Sequence, residues 1–212
     1  SIIRHDNEGD DAVNDSSPYV SLVVPADFVI FTVSLVSASS QANQREKELV
    51  QTFDTLAARV KRTPGITMEV GDPGLSAPVE TVSAKEALSG YGERSNISVV
   101  LKLAVAPKDT FGAVRTRAEA FISSIQASGR AEAVPGDQQY LGVTDPRKHR
   151  EALLRKIADD ARLLQTVFAG GASTPPVSLS GLEGQVKYRP SGPMEVEMYI
   201  PYRVLVGSVS PR

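Results

Sequence analysis

The residues that could perform acid–base or metal chemistry are few and far apart in this sequence. The two histidines are His5 and His149, and neither has a second metal-binding side chain at a spacing such as i+4. Asp159 and Asp160 are neighbours, but adjacent positions of a helix point about 100° apart, so the two carboxylates are poorly placed to act on one substrate. We therefore interpret His149 and both aspartates as solvent-facing, and we predict no catalytic and no metal-binding residues.

Other sequence signals of chemistry are equally sparse. Cysteine is absent, so disulfide bonds, thiolate metal sites and a cysteine nucleophile are excluded. The glycine-rich stretches lack the Gly-x-Gly-x-x-Gly and Gly-Lys-Ser/Thr patterns of nucleotide-binding loops, and we interpret them as turns. The net charge of −2 gives no basic excess for binding nucleic acid. The sequence therefore predicts no cofactor, no nucleic acid partner and no enzymatic activity.

One group of residues breaks a local rule. Residues 147–150 (RKHR) are all basic and occupy the predicted first turn of a helix, where the helix dipole favours negative charge. One interpretation is a solvated turn, partly offset by Asp145 and Glu151. The other is a contact surface for the acidic N-terminal segment of the same or a neighbouring subunit, or for anionic lipid or lipopolysaccharide headgroups. The residues of this candidate contact surface are Arg147, Lys148 and Arg150.

The basic turn opens the longest helical pattern of the chain, residues 144–170. Asp145 followed by Pro146 is typical of a helix start, and the glycine pair at 170–171 is typical of a helix end. About 25 helical residues would measure roughly 37 Å, enough to cross a domain. Apolar residues recur every three or four positions and predict one buried face, made by Leu153, Leu154, Ile157, Ala161, Leu164 and Phe168.

Alternating apolar and polar residues predict the strands. The predicted runs are 19–24, 28–37, 66–70, 97–105, 133–143, 177–188 and 194–206. We expect the first two runs to form a hairpin or bent pair, and the last two to pair antiparallel with Pro201 at an edge or a bulge. Residues 71–92, rich in Gly, Pro and Ser, predict a long loop or an exposed excursion with one short strand near 79–82.

Two further helices complete the predicted elements. The first is expected to start at Ser39-Ser40 and to end at Pro64-Gly65, and the second to run from 107–109 to Ser128-Gly129. Both have apolar spacing that suits a helix lying on a sheet. The order of elements predicts an α+β fold of mixed, largely antiparallel sheets with three main helices.

The composition also predicts the organisation of the chain. Residues 1–17 are polar and acidic, and we expect a mobile leader. Residues 18–207 are the predicted folded domain, with two related subdomains at 18–92 and 93–207, and 208–212 form a tail. No stretch approaches the roughly 20 apolar residues that a helix needs to span a bilayer.

Three stretches of the sequence resemble parts of a known protein family. They are VPADFVIFTVSLVSASSQANQ, GERSNISVVLKLAVAPKDTFGAV and GVTDPRKHREALLRKIADDARLLQTVFAG, followed by an apolar strand near the C-terminus. The first is similar to an opening strand with Pro and Asp that runs into an Ala-rich helix. The second is similar to a central strand followed by a helix, and the third to an Asp-Pro helix with repeated Ala. The chain thus resembles a divergent member of the SIMPL domain family, which includes bacterial periplasmic antigens.

The resemblance implies an exported bacterial protein, periplasmic or associated with the outer membrane, that forms homo-oligomers; it implies no catalytic residues. Ser1 is in keeping with a removed signal peptide. We expect a non-enzymatic envelope protein that acts through oligomeric assembly or binding, in contact with the envelope or a membrane surface. The alternative is a periplasmic small-molecule or peptide-binding module, or a hydrolase that uses Ser and carboxylate groups. A deep polar pocket would favour the alternative, whereas a flat, apolar or charge-complementary surface would favour assembly.

Overall fold

Two long strands of alternating residues form the centre of the larger sheet. The computed structural model describes residues 20–90, 94–169 and 174–207. Strands β2 (Phe28–Ser37) and β5 (Ser95–Ala104) pair antiparallel along their whole length, from Phe28 opposite Ala104 to Ser37 opposite Ser95. Their β-branched and aromatic side chains suit a pleated surface that is buried on at least one face.

The described chain contains eight further strands, four helices and two 3-10 turns. The remaining strands are β1 (Leu22–Pro25), β3 (Ile66–Val70), β4 (Ala77–Pro78), β6 (Ala131–Gly142), β7 (Val177–Ser180), β8 (Lys187–Gly192), β9 (Glu195–Tyr199) and β10 (Arg203–Val206). The helices are α1 (Ala42–Lys61), α2 (Ala84–Ala87), α3 (Phe111–Ser123) and α4 (Arg150–Val167), with 3-10 turns at Val79–Thr81 and Pro146–His149. Every strand pairing among the described residues is antiparallel. The predicted α+β fold with largely antiparallel sheets is confirmed.

The described chain divides into two compact units. The first is residues 26–143, which contain a five-stranded sheet in the order β4-β3-β5-β2-β6. The second joins residues 20–25 to residues 144–207 and contains the three-stranded sheet β1-β9-β8 and the two-stranded sheet of β10 and β7. In the order of the chain, the first unit is therefore an insertion in the second.

The core of the first unit lies mainly on one face of its sheet, and on the other face Ile30 of β2 and Val100 of β5 are also fully buried. Helix α1 contacts β2, β3, β5 and β6, and α3 contacts β2 and β6. The buried strand residues alternate along β2 and β5, and the buried helix residues recur at three- and four-residue spacing. Burying each large apolar side chain contributes about 1.5–3 kcal/mol. The buried set includes Val29, Phe31, Val33, Leu35, Ile97, Val99, Leu101 and Leu103 of the strands, and Leu49, Phe53, Leu56, Val60, Val114, Ala118, Phe121 and Ile122 of the helices.

The core of the second unit is smaller. Helix α4 buries Leu153 and Ile157. From the strand side, Val196 and Met198 of β9 and the following Ile200 are each fully buried. The apolar face predicted for this helix is therefore fully buried only in its first half; Ala161 and Leu164 are half-buried, and Phe168 at its end is 59% exposed.

One predicted strand pairing is wrong, and a second is confirmed in a divided form. Strand β1 does not form a hairpin with β2; it pairs with β9, with Leu22 opposite Met198. The expected antiparallel pairing of the two C-terminal runs is confirmed, but it is divided into two pairs of short strands, β8 with β9 and β7 with β10. Pro201 lies between β9 and β10, and its missing N–H accounts for the break in a run that otherwise alternates through both strands.

The helix starts also differ from the prediction. Residue Gln41, not a serine, occupies the N-cap position of α1, and it makes no side-chain capping bond. Helix α3 starts after Thr110, whose hydroxyl accepts a 3.2 Å hydrogen bond from the Ala113 N–H. Helix α4 has 18 residues and follows the 3-10 turn, so it is shorter than predicted. In the 71–92 region, 79–81 form a 3-10 turn rather than a strand, and the short strand lies just before it.

The subdomain boundary predicted near residue 92 does not coincide with the two units. It falls inside the first unit, where β3 from one side of it pairs with β5 from the other. The predicted leader 1–17, the glycine pair 170–171 and the tail 208–212 lie outside the described residues.

Candidate binding surfaces

The three residues of the predicted contact surface have two different environments in the structure. Asp145 begins the 3-10 turn by accepting a 3.1 Å hydrogen bond from the Arg147 N–H. The Arg147 side chain is 91% exposed and lies 3.5 Å from the same carboxylate. Lys148 is also exposed. These two residues therefore stand at the surface at the start of the helix.

Arg150 has a different environment. Its guanidinium donates to the backbone carbonyl of Leu182 and, at 2.5 Å, to that of Gly184. Both carbonyls belong to the turn between β7 and β8, so Arg150 fixes this turn to the first residue of α4. We conclude that Arg150 is half-buried and structural, and that a contact surface here would rest on Arg147 and Lys148.

The acidic residues in the middle of α4 also have separate partners. Asp159 pairs with Arg162 at 2.9 Å, and Asp160 accepts a 3.3 Å hydrogen bond from the Tyr202 hydroxyl. Glu151 and Arg155 form a further exposed pair at 2.6 Å. Within the described parts of the chain, no group of three or more His, Cys, Asp or Glu residues could hold a metal ion. Four of the charged residues of this helix are thus paired with each other, whereas Asp160 bonds to Tyr202 and Lys156 donates to the Ser21 carbonyl.

The second half of α4 and the strand beside it expose an apolar surface. Helix α4 contacts β10 and β7, and the Tyr202–Asp160 bond places the start of β10 beside the middle of the helix. Leu163, Val167 and Phe168, which follow Asp160, are 59%, 64% and 59% exposed. We call the whole set the C-terminal patch: Leu163, Val167, Phe168, Leu205 and Val206, of which the last two are adjacent on β10 and point to opposite faces of its sheet.

Strand edges accompany this patch. Strands β7 and β10 form a sheet of two strands, so each has one edge without a strand partner in the described structure. Leu205 on β10 is 69% exposed. Unpaired strand edges beside exposed apolar side chains favour pairing with another chain.

A polar cluster in the first unit was not predicted. Glu48 of α1 is 3% exposed, and its carboxylate accepts hydrogen bonds from Ser37 at 2.7 Å, Ser39 at 2.8 Å and Gln44 at 2.9 Å. The bond from Ser37 is the largest of several, including one from the Arg130 N–H, that together outweigh burial and lower the pKa of Glu48 from 4.5 to about 2. The Ser39 hydroxyl therefore donates to this carboxylate and does not cap the helix.

The Glu48 cluster holds several elements in place. It connects the end of β2, the start of α1 and the loop that precedes β6. The same loop is anchored by the Ser128 N–H, which donates to the Thr52 hydroxyl at 2.9 Å. A buried carboxylate with this many donors is well satisfied, and the cluster is structural rather than catalytic.

A polar groove lies on the opposite face of the five-stranded sheet. Thr32 and Ser34 of β2 alternate with the buried Val33, and Ser98 of β5 lies directly opposite Ser34. These three hydroxyls line an open groove of about 610 Å³, together with residues of two flanking segments, 71–73 and 134–138. The sequence did suggest that Thr32 and Ser34 share a face, but the partner strand and the walls depend on tertiary pairing.

Comparisons with models of known protein families and with curated proteins found no match. None of the helices in the described residues is both long and apolar enough to cross a membrane.

Proposed function

We propose that this protein acts without catalysis, by assembling with further copies of itself through the C-terminal patch. The observation that carries the proposal is the concentration of exposed apolar residues there. Five of the eight large apolar side chains that are strongly exposed in the described residues belong to the end of α4 and to β10. Exposed apolar side chains concentrated on two elements that contact each other favour interaction with another protein surface.

The patch favours a second copy of the chain as its occupant. It combines an apolar helix end with the free edge of a two-stranded sheet, and two identical edges can pair across a two-fold axis. A sheet of two strands is marginal in water, so a further strand would stabilise it. On the neighbouring polar face of α4, four charged residues are paired with each other, Glu151 with Arg155 and Asp159 with Arg162.

The site of action is proposed to be the bacterial envelope. This part rests on the resemblance to the SIMPL family, together with the exposed Arg147 and Lys148, which would face anionic headgroups. Fractionation of the source cells gives the measurement: we expect the protein with the periplasmic or outer-membrane markers. Recovery with the cytoplasmic markers would contradict the proposed location while leaving assembly open.

Solution mass by size-exclusion chromatography with light scattering tests assembly. The wild-type chain should have a mass above the 22.6 kDa of one copy. The double variant Val167→Glu with Leu205→Glu places one charge on each element of the patch, at positions that are 64% and 69% exposed. We expect this variant to fall to the mass of one copy, because a buried unpaired charge disfavours association.

The matched control is Leu75→Glu. Leu75 is 76% exposed but lies in the first unit, away from the patch residues in sequence and in element. Its substitution should leave the assembly unchanged. A wild-type chain that stays at 22.6 kDa at the highest usable concentration, or a double variant that keeps the wild-type mass, would overturn the proposal.

A further inference from the structure

The groove on the first unit has a floor of hydroxyl groups. Ser34 and Ser98 are a cross-strand pair, which places their Cβ atoms about 4.5–5.5 Å apart. Thr32 lies two residues from Ser34 on the same face, about 7 Å along the strand. No hydrogen bond within the described chain uses any of these three hydroxyls. Each can therefore donate to and accept from a ligand.

One wall is made by an irregularity of β6. The register with β2 shifts between Phe31 and Val33, so Thr32 has no β6 partner, and residues 136–138, between the paired Pro135 and Gln139, form a bulge beside it. Gly136 is required there, since a Cβ at this position would lie 2.0 Å from the Thr32 hydroxyl oxygen. Bulges of this kind are common beside functional sites, where they redirect a strand.

The other wall follows β3. The Gly71 N–H donates to the Ser98 carbonyl at 2.8 Å, which fixes the turn 71–73 beside the floor. Asp72 on this side and Asp137 on the other are both exposed carboxylates. Pro73 and Val134 add apolar surface, and the Tyr140 hydroxyl donates to the Gln138 side chain.

The chemistry of the lining restricts the ligand. The described residues that line the groove include no Lys, Arg or His, so nothing there compensates a negative charge. Carboxylates only accept hydrogen bonds, which calls for a ligand rich in donors. The volume lies in the range of small-molecule sites, about 300–1,000 Å³. Apolar and aromatic residues among polar groups suit a ligand with both hydroxyl groups and C–H faces.

We propose that this groove binds a saccharide without negative charge, held by the hydroxyls of Thr32, Ser34 and Ser98 and by the carboxylates of Asp72 and Asp137. The inference is independent of assembly, because every residue of the groove belongs to the first unit and the C-terminal patch belongs to the second. A sugar that carries a protonated amine would bind more tightly, because the two carboxylates would attract its positive charge.

Calorimetric titration with three tetrasaccharides and one polyamine tests the proposal. The probes are a tetramer of β-1,4-linked glucosamine, its N-acetylated neutral form, a tetramer of galacturonate, and spermidine. We expect the two non-anionic tetramers to bind, the glucosamine form at least as tightly, and galacturonate to bind at least tenfold more weakly. Absence of binding for both non-anionic tetramers, or equal binding of galacturonate, would overturn it. Spermidine binding as tight as the glucosamine tetramer would also overturn it, because charge alone would then account for the affinity.

The variant arm uses Ser34→Ala with Ser98→Ala, and the matched control is Thr67→Ala on β3. Thr67 is an exposed hydroxyl residue of the same sheet that does not line the groove. The double variant should bind at least fivefold more weakly and the control should match the wild type; equal affinity of the double variant would overturn the assignment. Amide chemical-shift mapping of the wild-type chain needs no variant, and shifts confined to residues outside 71–73 and 134–138 would place the ligand elsewhere.

Discussion

Glu48 illustrates how far a single side chain can depart from the behaviour that its type suggests. Charged residues on a helix usually face solvent, yet this carboxylate is buried and receives donors from three elements. Removing it would leave those donors without an acceptor. Its role is to hold the end of β2, the start of α1 and the loop before β6 together.

The lowered pKa of Glu48 predicts a dependence of stability on pH. Because the folded-state value lies below the ordinary value, the contribution is complete above about pH 5 and is lost as the pH falls toward 2. A lowering from 4.5 to about 2 corresponds to about 3 kcal/mol. Glu48→Gln should therefore be less stable than wild type at pH 7, with most of the difference gone near pH 2.5.

Urea unfolding at a series of pH values from 7 to 2.5 measures this effect. Other carboxylates titrate in the same range, so the quantity to compare is the difference between wild type and variant. The control is Glu119→Gln, since the side chain of Glu119 is 58% exposed in a pair with Arg115. If Glu48→Gln and Glu119→Gln show the same pH dependence, the hydrogen-bonded cluster does not stabilise the fold as described.

At the scale of elements, two glycines near helix α3 differ in whether their positions can accept a side chain. Gly129, in the loop after α3, has φ of +59°, and a Cβ there would lie 2.3 Å from a carboxylate oxygen of Glu48. Gly112, in the first turn of α3, has ordinary space around it, with its nearest neighbour at 3.9 Å. The first position requires glycine and the second does not.

We predict opposite effects for alanine at these positions. Gly129→Ala should destabilise the protein by more than about 2 kcal/mol, because the backbone conformation and the contact with Glu48 are both unfavourable to a side chain. Gly112→Ala should stabilise it by about 0.5–1 kcal/mol, by reducing the entropy of the unfolded chain. Thermal unfolding compares the two, and a similar change in both variants would count against the structure of this loop.

The sequence predicted elements better than it predicted their partners. The alternation in β2 and β5 and the spacing in α1, α3 and α4 were sufficient to place these elements, because one buried face leaves a periodic pattern. The pairing of β1 with β9 left no such pattern, since it joins residues that are far apart in the chain. The same reason applies to the groove, whose walls meet only after β3, β5, β2 and β6 have paired.

The buried polar cluster could not be predicted for another reason. Ser39 precedes a helix, where a serine is a common cap, and only the tertiary structure shows that its hydroxyl donates to Glu48 instead. The basic residues 147–150 were recognised as unusual, but the sequence does not reveal that Arg150 has two carbonyl partners in the turn after β7.

At the scale of the whole molecule, the first unit is continuous in sequence and its ends are adjacent. The Asp27 N–H donates to the Gly142 carbonyl at 2.9 Å, and Phe28 lies opposite Gly142 in the sheet. Neighbouring ends are typical of domains that tolerate insertion into another chain. The unit thus has its own sheet, helices and core.

We predict that residues 26–143 fold as a separate fragment. Circular dichroism should show helix and strand together with a cooperative thermal transition. The control is fragment 18–92, which ends at the boundary that composition suggested and which lacks β5 and β6 from the five-stranded sheet. That fragment should be unfolded, and a folded 18–92 or an unfolded 26–143 would contradict the division into units.

The insertion also determines the order in which the protein can fold as it leaves the ribosome. All the strands of the first unit have been synthesised once β6 has emerged, whereas β1, made earliest of the described strands, must wait for β9. Because the chain is synthesised at about 5–20 residues per second, β1 remains unpaired for on the order of ten seconds, while the first unit completes its sheet. Val24, which lies opposite Val196 in the completed sheet, therefore stays uncovered until β9 has been made.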